Sequence, residues 1–293
     1  MTPRALAERI IASRAALRSG HLQPEAVRKA EAEGGCGVIG MVCAEAIPGR
    51  HLLRALRQMR NRGNGKGGGV AMVGLVPEEF GVTPAVLRED YLLAVAYLDA
   101  SVRPEVESTH IHPTFLVDHS VSLPIVALPG LPIRPPQAVA YFVRVRPEAA
   151  GAFAAQIGAA DVPREVLHDE LVYQNSFRLN RVWYSSLGEK RAFVLSHGKD
   201  LLVLKMVGYG DDAVRAYGLE NLRAHVWIGH HRYPTKGRVW HPGGAHPFVG
   251  LHEALVHNGD FANYASVCAY LAQRNIEPLF LTDTEVSVLM FDL

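Results

Sequence analysis

Cysteine is scarce in this chain. Only Cys36, Cys43 and Cys268 occur in 293 residues, and no two of them form a C-x-x-C pair. That argues against a disulfide framework, a cysteine-built zinc site and an iron–sulfur cluster, and it fits a reducing, cytoplasmic setting. Long apolar runs are missing too. The longest, YLLAVAYL at 91–98, falls well short of the roughly 18 residues that span a bilayer. Charge of one sign is not in excess: the net charge is +1, so neither a nucleic-acid nor a membrane partner is expected. The N-terminus has no apolar signal core. Arg4, Arg9, Arg14 and Arg18 give it a faint transit-peptide look, which Glu8, Glu25, Glu31 and Glu33 argue against. Internal repeats and low-complexity segments are also lacking.

What is present is an ordinary globular composition, 48% hydrophobic and 20% charged, enough for one large domain or two small ones. Strand and helix patterns mix without βαβ spacing, which predicts α+β layers. Residues 3–33 read as two short helices split by Pro24. CGVIGMVC (36–43) reads as a buried strand, HLLRALRQMRNRG (51–63) as a helix and VAMVGLV (70–76) as a strand. The middle, 77–222, is less regular. It holds a proline-punctuated loop at 121–136, a strand at 138–146, a helix at 164–184 and a hairpin at 191–208 turning at HGKD. Strands at 224–233 and 253–259 and helices at 263–275 and 282–290 follow.

Chemistry-bearing residues gather toward the two ends. Cys36 follows Gly34-Gly35 at the head of a strand, either as a core thiol or as a residue destined to become the first. Within 225–257 stand seven histidines, His225, His230, His231, His241, His246, His252 and His257. Their spacing fits no metal motif, and only Glu253 offers an acidic co-ligand, so local hydrogen bonds are their expected role. In HHRYPTKG (230–237), Arg232 ends a strand where it can form a surface salt bridge or grip a carboxylate with two parallel hydrogen bonds. In HNGD (257–260), Asn258-Gly259 is a hairpin turn or a pair of neutral donors for an oxyanion. In TDTE (282–285), Thr282 and Glu285 form a capping box, and Asp283 serves the helix dipole or a substrate ammonium.

Together and in this order, CGVIG, RNRGNGKGGGVAMVG, GHHRYPTKG, AHPF (245–248), HNGDFANY and TDTE resemble the class II glutamine amidotransferases, which are N-terminal nucleophile hydrolases. The matches cover most of 36–76 and 224–290. A cysteine behind a pro-segment, with large insertions, is most like the amidotransferase part of glutamate synthases. The resemblance implies a four-layer αββα sandwich, a pro-segment at 1–35 that is removed, and an amidotransferase domain at 36–293 with an insertion at about 77–222. Carried over, Cys36 matches the nucleophile, and its freed α-amino group the general base. Asn258 and Gly259 match the oxyanion hole, Arg232 the grip on the glutamine α-carboxylate, and Asp283 the grip on its α-amino group. Thr235 and His246 fall where the glutamine pocket is lined. Pro234 and Asp260 depart from the usual pattern. The chain stops at Leu293, soon after TDTE, where the family fold continues, so an incomplete domain is expected.

The implied reaction is hydrolysis of the glutamine side-chain amide through a cysteine thioester. No metal or cofactor is expected in this chain: the glycines of GNGKGGG follow a helix and precede a strand, the reverse of a dinucleotide fingerprint. The ammonia would go to a synthase partner carrying FMN and iron–sulfur centres. Two rivals are an unprocessed, non-catalytic module that binds glutamine or regulates a partner, and a histidine-rich metallohydrolase.

Overall fold

The computed structural model describes residues 2–17, 35–232 and 241–292. Helix α1 (Pro3–Ser13) comes first, then strand β1 (Gly37–Pro48), α2 (Arg50–Gln58), β2 (Gly68–Leu75), α3 (Pro84–Glu89), β3 (Tyr91–Tyr97) and α4 (Arg103–Val106). Next are β4 (Phe115–Ser122), β5 (Gln137–Val145), α5 (Pro147–Gln156), α6 (Arg164–Trp183), β6 (Ala192–Ser196), β7 (Leu201–Met206) and α7 (Gly210–Ala216). The last are β8 (Arg223–His231), β9 (Phe248–Val249), β10 (Ala254–Leu255), α8 (Tyr264–Ala272) and α9 (Asp283–Leu289). No helix among the described residues is long and apolar enough to cross a membrane.

Two four-stranded antiparallel sheets dominate, in the orders β1-β8-β2-β7 and β4-β5-β3-β6. The second sheet comes wholly from 77–222, the stretch the sequence marks as least regular. Its central strand β3 is buried at every position, so it shows no in–out alternation by which to read it. One face of that sheet, including Leu93, Val95, Val139 and Val143, is covered by Phe153 of α5 and by Leu171, Val172 and Leu179 of α6. Leu92, Ala94, Ala140 and Phe142 join Val70, Met72, Leu202 and Leu204 of the first sheet in one apolar core.

The hairpin expected at 191–208 is not one. β6 pairs with β3 in the second sheet, and β7 pairs with β2 in the first, so the turn between them carries the chain from one sheet to the other. Turn residues reveal a reversal but not its plane. Both strands are buried at every position, leaving no polar face to mark a shared sheet. Asp200 ends this crossing with φ of 50°, and its carboxylate accepts the N–H of Gly74 at 3.1 Å and of Leu75 at 2.8 Å, which ties the turn to β2. The strand expected at 253–259 shrinks to Ala254–Leu255, because the chain leaves the sheet before Asn258. The helix expected at 51–63 ends at Gln58 and continues as a 3-10 turn over Arg60–Arg62.

α2 sets the end of β8. Its Leu52 and Leu56 are fully buried against Gly229, where an added Cβ would lie 3.0 Å from the Leu56 side chain. Leu56→Ala is therefore expected to lower unfolding free energy by about 2–5 kcal/mol, read from urea titration. The Arg232 end of β8 should lose hydrogen-exchange protection in the same variant.

Candidate functional site

β8 runs between β1 and β2, and both pair Gly with its last residue: Gly37 faces His231 on one side and Gly68 faces it on the other. Carried one residue past the ladders, this register sets Cys36 and Gly67 on either side of Arg232. The Arg232 N–H donates to the Gly67 carbonyl at 2.8 Å, and its own carbonyl accepts the Asn64 N–H at 3.2 Å. Gly67 is needed there because a Cβ would sit 3.1 Å from Arg232 Cδ and 3.2 Å from Ala245 Cβ. His231 fixes the strand end. Gly210 N–H donates to its Nδ1 at 2.9 Å, so its Nε2 carries the proton and donates to the Leu56 carbonyl at 2.8 Å.

Arg232 is buried, with 8% of its surface exposed. Burial pulls its guanidinium below the ordinary value, while Cys36 and Asp283 favour its charge. A buried guanidinium remains protonated and is a ready carboxylate grip. Cys36 is half-buried, and its N–H donates to Asn258 Oδ1 at 3.0 Å. With Oδ1 so engaged, Nδ2 is the donor end of that amide. Gly259 follows in the same exposed loop after β10. Asp283 opens α9, where its Oδ2 accepts the Phe261 N–H at 3.2 Å and lies 3.9 Å from His257 Nδ1. The site thus joins Cys36, Arg232, Asn258 and Asp283 from four separate stretches. Thr235 lies outside the described residues.

His246 lies beneath this group rather than at its surface. It is buried and stacks on His230 with ring centroids 4.1 Å apart, and its Nε2 hydrogen-bonds Thr284 Oγ1 at 3.0 Å. Burial, the largest cause, and nearby cations hold His246 well below the usual imidazole range; burial takes His230 down to about 3. Both rings are therefore neutral near pH 7 and can stack without repulsion. The other histidines also make local hydrogen bonds, His225 to the Cys43 carbonyl and His241 to the Tyr184 hydroxyl. Among the described residues no three His, Cys, Asp or Glu side chains gather as a metal site.

The capping box is half formed. Thr282 Oγ1 accepts the Glu285 N–H at 3.1 Å as expected. The Glu285 carboxylate instead reaches back to the N–H groups of Leu279 at 2.6 Å and Phe280 at 2.8 Å. It thereby fixes the loop that delivers Asp283, a role the TDTE motif does not reveal. Lys205 also goes unmarked in the sequence, where LLVLKMVG reads as plain strand. It is buried beside Glu285 in a cavity of about 60 Å³, with Nζ 4.2 Å from the Phe248 ring and donating to the Gly243 carbonyl at 3.1 Å.

No family model matches the chain. It is 29% identical over 268 residues to an uncharacterized protein of Archaeoglobus fulgidus, a match covering 88% of this chain and 62% of that protein. It is 36% identical over 110 residues to glutamine–fructose-6-phosphate aminotransferase (isomerizing) of Aeropyrum pernix, 37% of this chain and 18% of the enzyme. The enzyme of the same name from Chlamydia abortus is 33% identical over 97 residues, 32% of this chain and 16% of the enzyme. The chain thus spans about three fifths of the archaeal protein's length and under a fifth of each aminotransferase.

Burial pushes Lys205 down to about 7 and Glu285 up to about 7. For Lys205 the unfolded chain binds the extra proton between about 7 and its ordinary 10.5, so stability rises with pH across that window. For Glu285 the folded chain binds it between the ordinary 4.5 and about 7, so stability falls with pH across that lower window. A trough near pH 7 is the expected sum. Lys205→Met should flatten the alkaline limb, because the group that titrates there is gone. Thermal melts from pH 5 to pH 10 check both; an unchanged alkaline slope would assign it to another group.

Proposed function

We propose that the chain is a glutamine amidotransferase that hydrolyses the side-chain amide of glutamine to glutamate and ammonia. The observation that carries this is the register of β8, which brings Arg232 beside Cys36 with Asn258 and Asp283 around them. Support also comes from the partial similarity to aminotransferases whose name states glutamine as a substrate. On this reading the domain is an αββα sandwich of the N-terminal nucleophile hydrolase type.

Within the chain, the Cys36 nitrogen is an amide and cannot accept a proton. Scission between Gly35 and Cys36 converts it to an amine with an ordinary pKa near 8, matched to a thiol near 8.5. Asn258 Oδ1, already accepting from that nitrogen, would hold the amine in place. The amine takes the Cys36 thiol proton, and the sulfur attacks the amide carbon. Asn258 Nδ2 and the Gly259 N–H stabilise the oxyanion, worth about 3 kcal/mol per donor. Collapse breaks the C–N bond, the amine returns the proton to the leaving nitrogen, and ammonia departs from a γ-glutamyl thioester. Water, deprotonated by the same amine, cleaves the thioester and restores the thiol. Arg232 and Asp283 hold the α-carboxylate and α-ammonium, and His246 supports the pocket from below through Thr284. Ammonia is mostly protonated at neutral pH, and so we assign its use to a partner synthase of the glutamate synthase kind, with FMN and iron–sulfur centres in that partner. Glutaminase activity that rises when the partner and its substrate are added would support that assignment.

Arg232→Ala is expected to raise KM for glutamine by at least about 100-fold, since losing one member of a buried charge pair costs about 3–5 kcal/mol. Cys36→Ala should abolish turnover while still binding glutamine. An unchanged KM in Arg232→Ala removes the carboxylate grip. A fully active chain with its N-terminal segment still attached removes the amine base.

Scission has its own test. A Cβ on residue 35 would lie 2.8 Å from Arg62 Nη2 and 3.3 Å from Asn258 Oδ1. Gly35→Val should displace Asn258 and slow scission at least about tenfold, the scale of a 1.4 kcal/mol rise in barrier. Denaturing mass spectrometry over time after synthesis reads it.

A further inference from the structure

Residues 2–17, ahead of Cys36 in the chain, are built into the body of the protein. Thr2 caps α1 by accepting the Ala5 N–H at 3.2 Å. At the far end of that helix Arg14 is 5% exposed and meets Glu170, also 5% exposed, through two parallel hydrogen bonds of 2.9 Å. Gln174 donates to both Glu170 Oε1 and Ser13 Oγ at 2.8 Å, and Arg181 donates to the Leu17 carbonyl. Burial opposes the Arg14 charge, but Glu170 outweighs it and the guanidinium is held above its ordinary pKa.

The contacts extend beyond α6. The Arg14 guanidinium lies over the Tyr173 ring at 4.5 Å, and Tyr173 packs with Val286 and Leu289 of α9. Asn275, in the turn between α8 and α9, donates Nδ2 to the Ile11 carbonyl at 2.6 Å. Asp283 is the first residue of α9. The segment therefore braces, at one remove, the helix that carries a site carboxylate.

We infer that residues 2–17 are a permanent part of the folded protein and that, once the chain is cut before Cys36, they stay on as a separate subunit bracing α9. The second half rests on the scission proposed above. A buried pair of this kind resists separation, because withdrawing Arg14 leaves the Glu170 carboxylate buried without its partner. A pro-segment that served only to mask the nucleophile would need no contact with α6 or with the α8–α9 turn.

Mass spectrometry of the full-length protein under denaturing and native conditions separates the two claims. The expected result is two chains when denatured and one complex when native, its mass that of the uncut chain plus one water. Arg14→Ala should dissociate the complex, and Glu170→Gln should weaken it. Cut protein that sheds the segment overturns the inference and leaves scission standing. An uncut chain overturns the scission and with it the two-chain form, and hydrogen exchange then decides the docking. Amides of Leu6–Leu17 should exchange at least about tenfold more slowly than in an unfolded peptide, and Arg14→Ala should speed exchange in both that segment and α9. Unprotected amides, or α9 exchange unmoved by Arg14→Ala, overturn the docking and the brace.

Discussion

The site depends on the register of one strand. β8 is held on both sides, and Gly37, Gly68 and His231 lie across the sheet from one another. A slip of one residue on either side would turn every side chain of the slipped strand to the opposite face. It would bury Arg232 among apolar groups or aim it away from Cys36. Each device near the strand end opposes such a slip. His231 is bonded at both ring nitrogens, Gly67 admits the Arg232 stem, and Gly229 receives Leu52 and Leu56. Pairwise packing and backbone pairing thus do what no single catalytic residue can do, which is to fix the distance between groups about 200 positions apart in sequence.

The strands and the helix that carry these groups were legible in the sequence, and what escaped has physical causes. CGVIG at a strand head, Arg232 at a strand end and Thr282 at a helix start are local signals, and each element formed where its residues place it, although the strand of CGVIG, expected to be buried, is a half-exposed edge strand. In the second sheet β5 was read as a strand, but β3 escaped because it is apolar on both faces: YLLAVAY carries no period of two to detect. The crossing from β6 to β7 escaped because a turn records a reversal of direction and nothing about which strand will be the neighbour. Glu285 was legible as a cap but not as the anchor of Leu279 and Phe280, since those partners precede the helix and belong to a loop with no motif of its own. Lys205 was invisible for a different reason. A lysine in a strand ordinarily snorkels to water, and only the rings of Phe193, Phe248 and Phe280 show that it does not.

Two buried polar assemblies lie behind the site, and each has one member at the end of a helix. Glu285 and Lys205 border the cavity under α9, and Arg14 and Glu170 lie where α1 meets α6. Burying such groups is unfavourable compared with apolar side chains of the same volume. Their value is geometric. A carboxylate that accepts two backbone N–H groups permits one loop conformation, whereas an apolar plug of equal volume permits several.

The same reasoning separates the role of Arg14 from that of an ordinary stabilising contact. Replacing both Arg14 and Glu170 with apolar residues would cost the fold little, because the pair recovers in mutual attraction about what it loses in hydration. Separating the two intact side chains is a different process, in which each charge is desolvated without its partner until water enters the gap. The interaction therefore contributes modestly to whether the protein folds and strongly to how slowly the segment leaves. That asymmetry suits a contact that must outlast the breaking of the chain. A covalent tether makes retention automatic, and once it is gone the dissociation rate of the docked segment sets how long α9 keeps its brace.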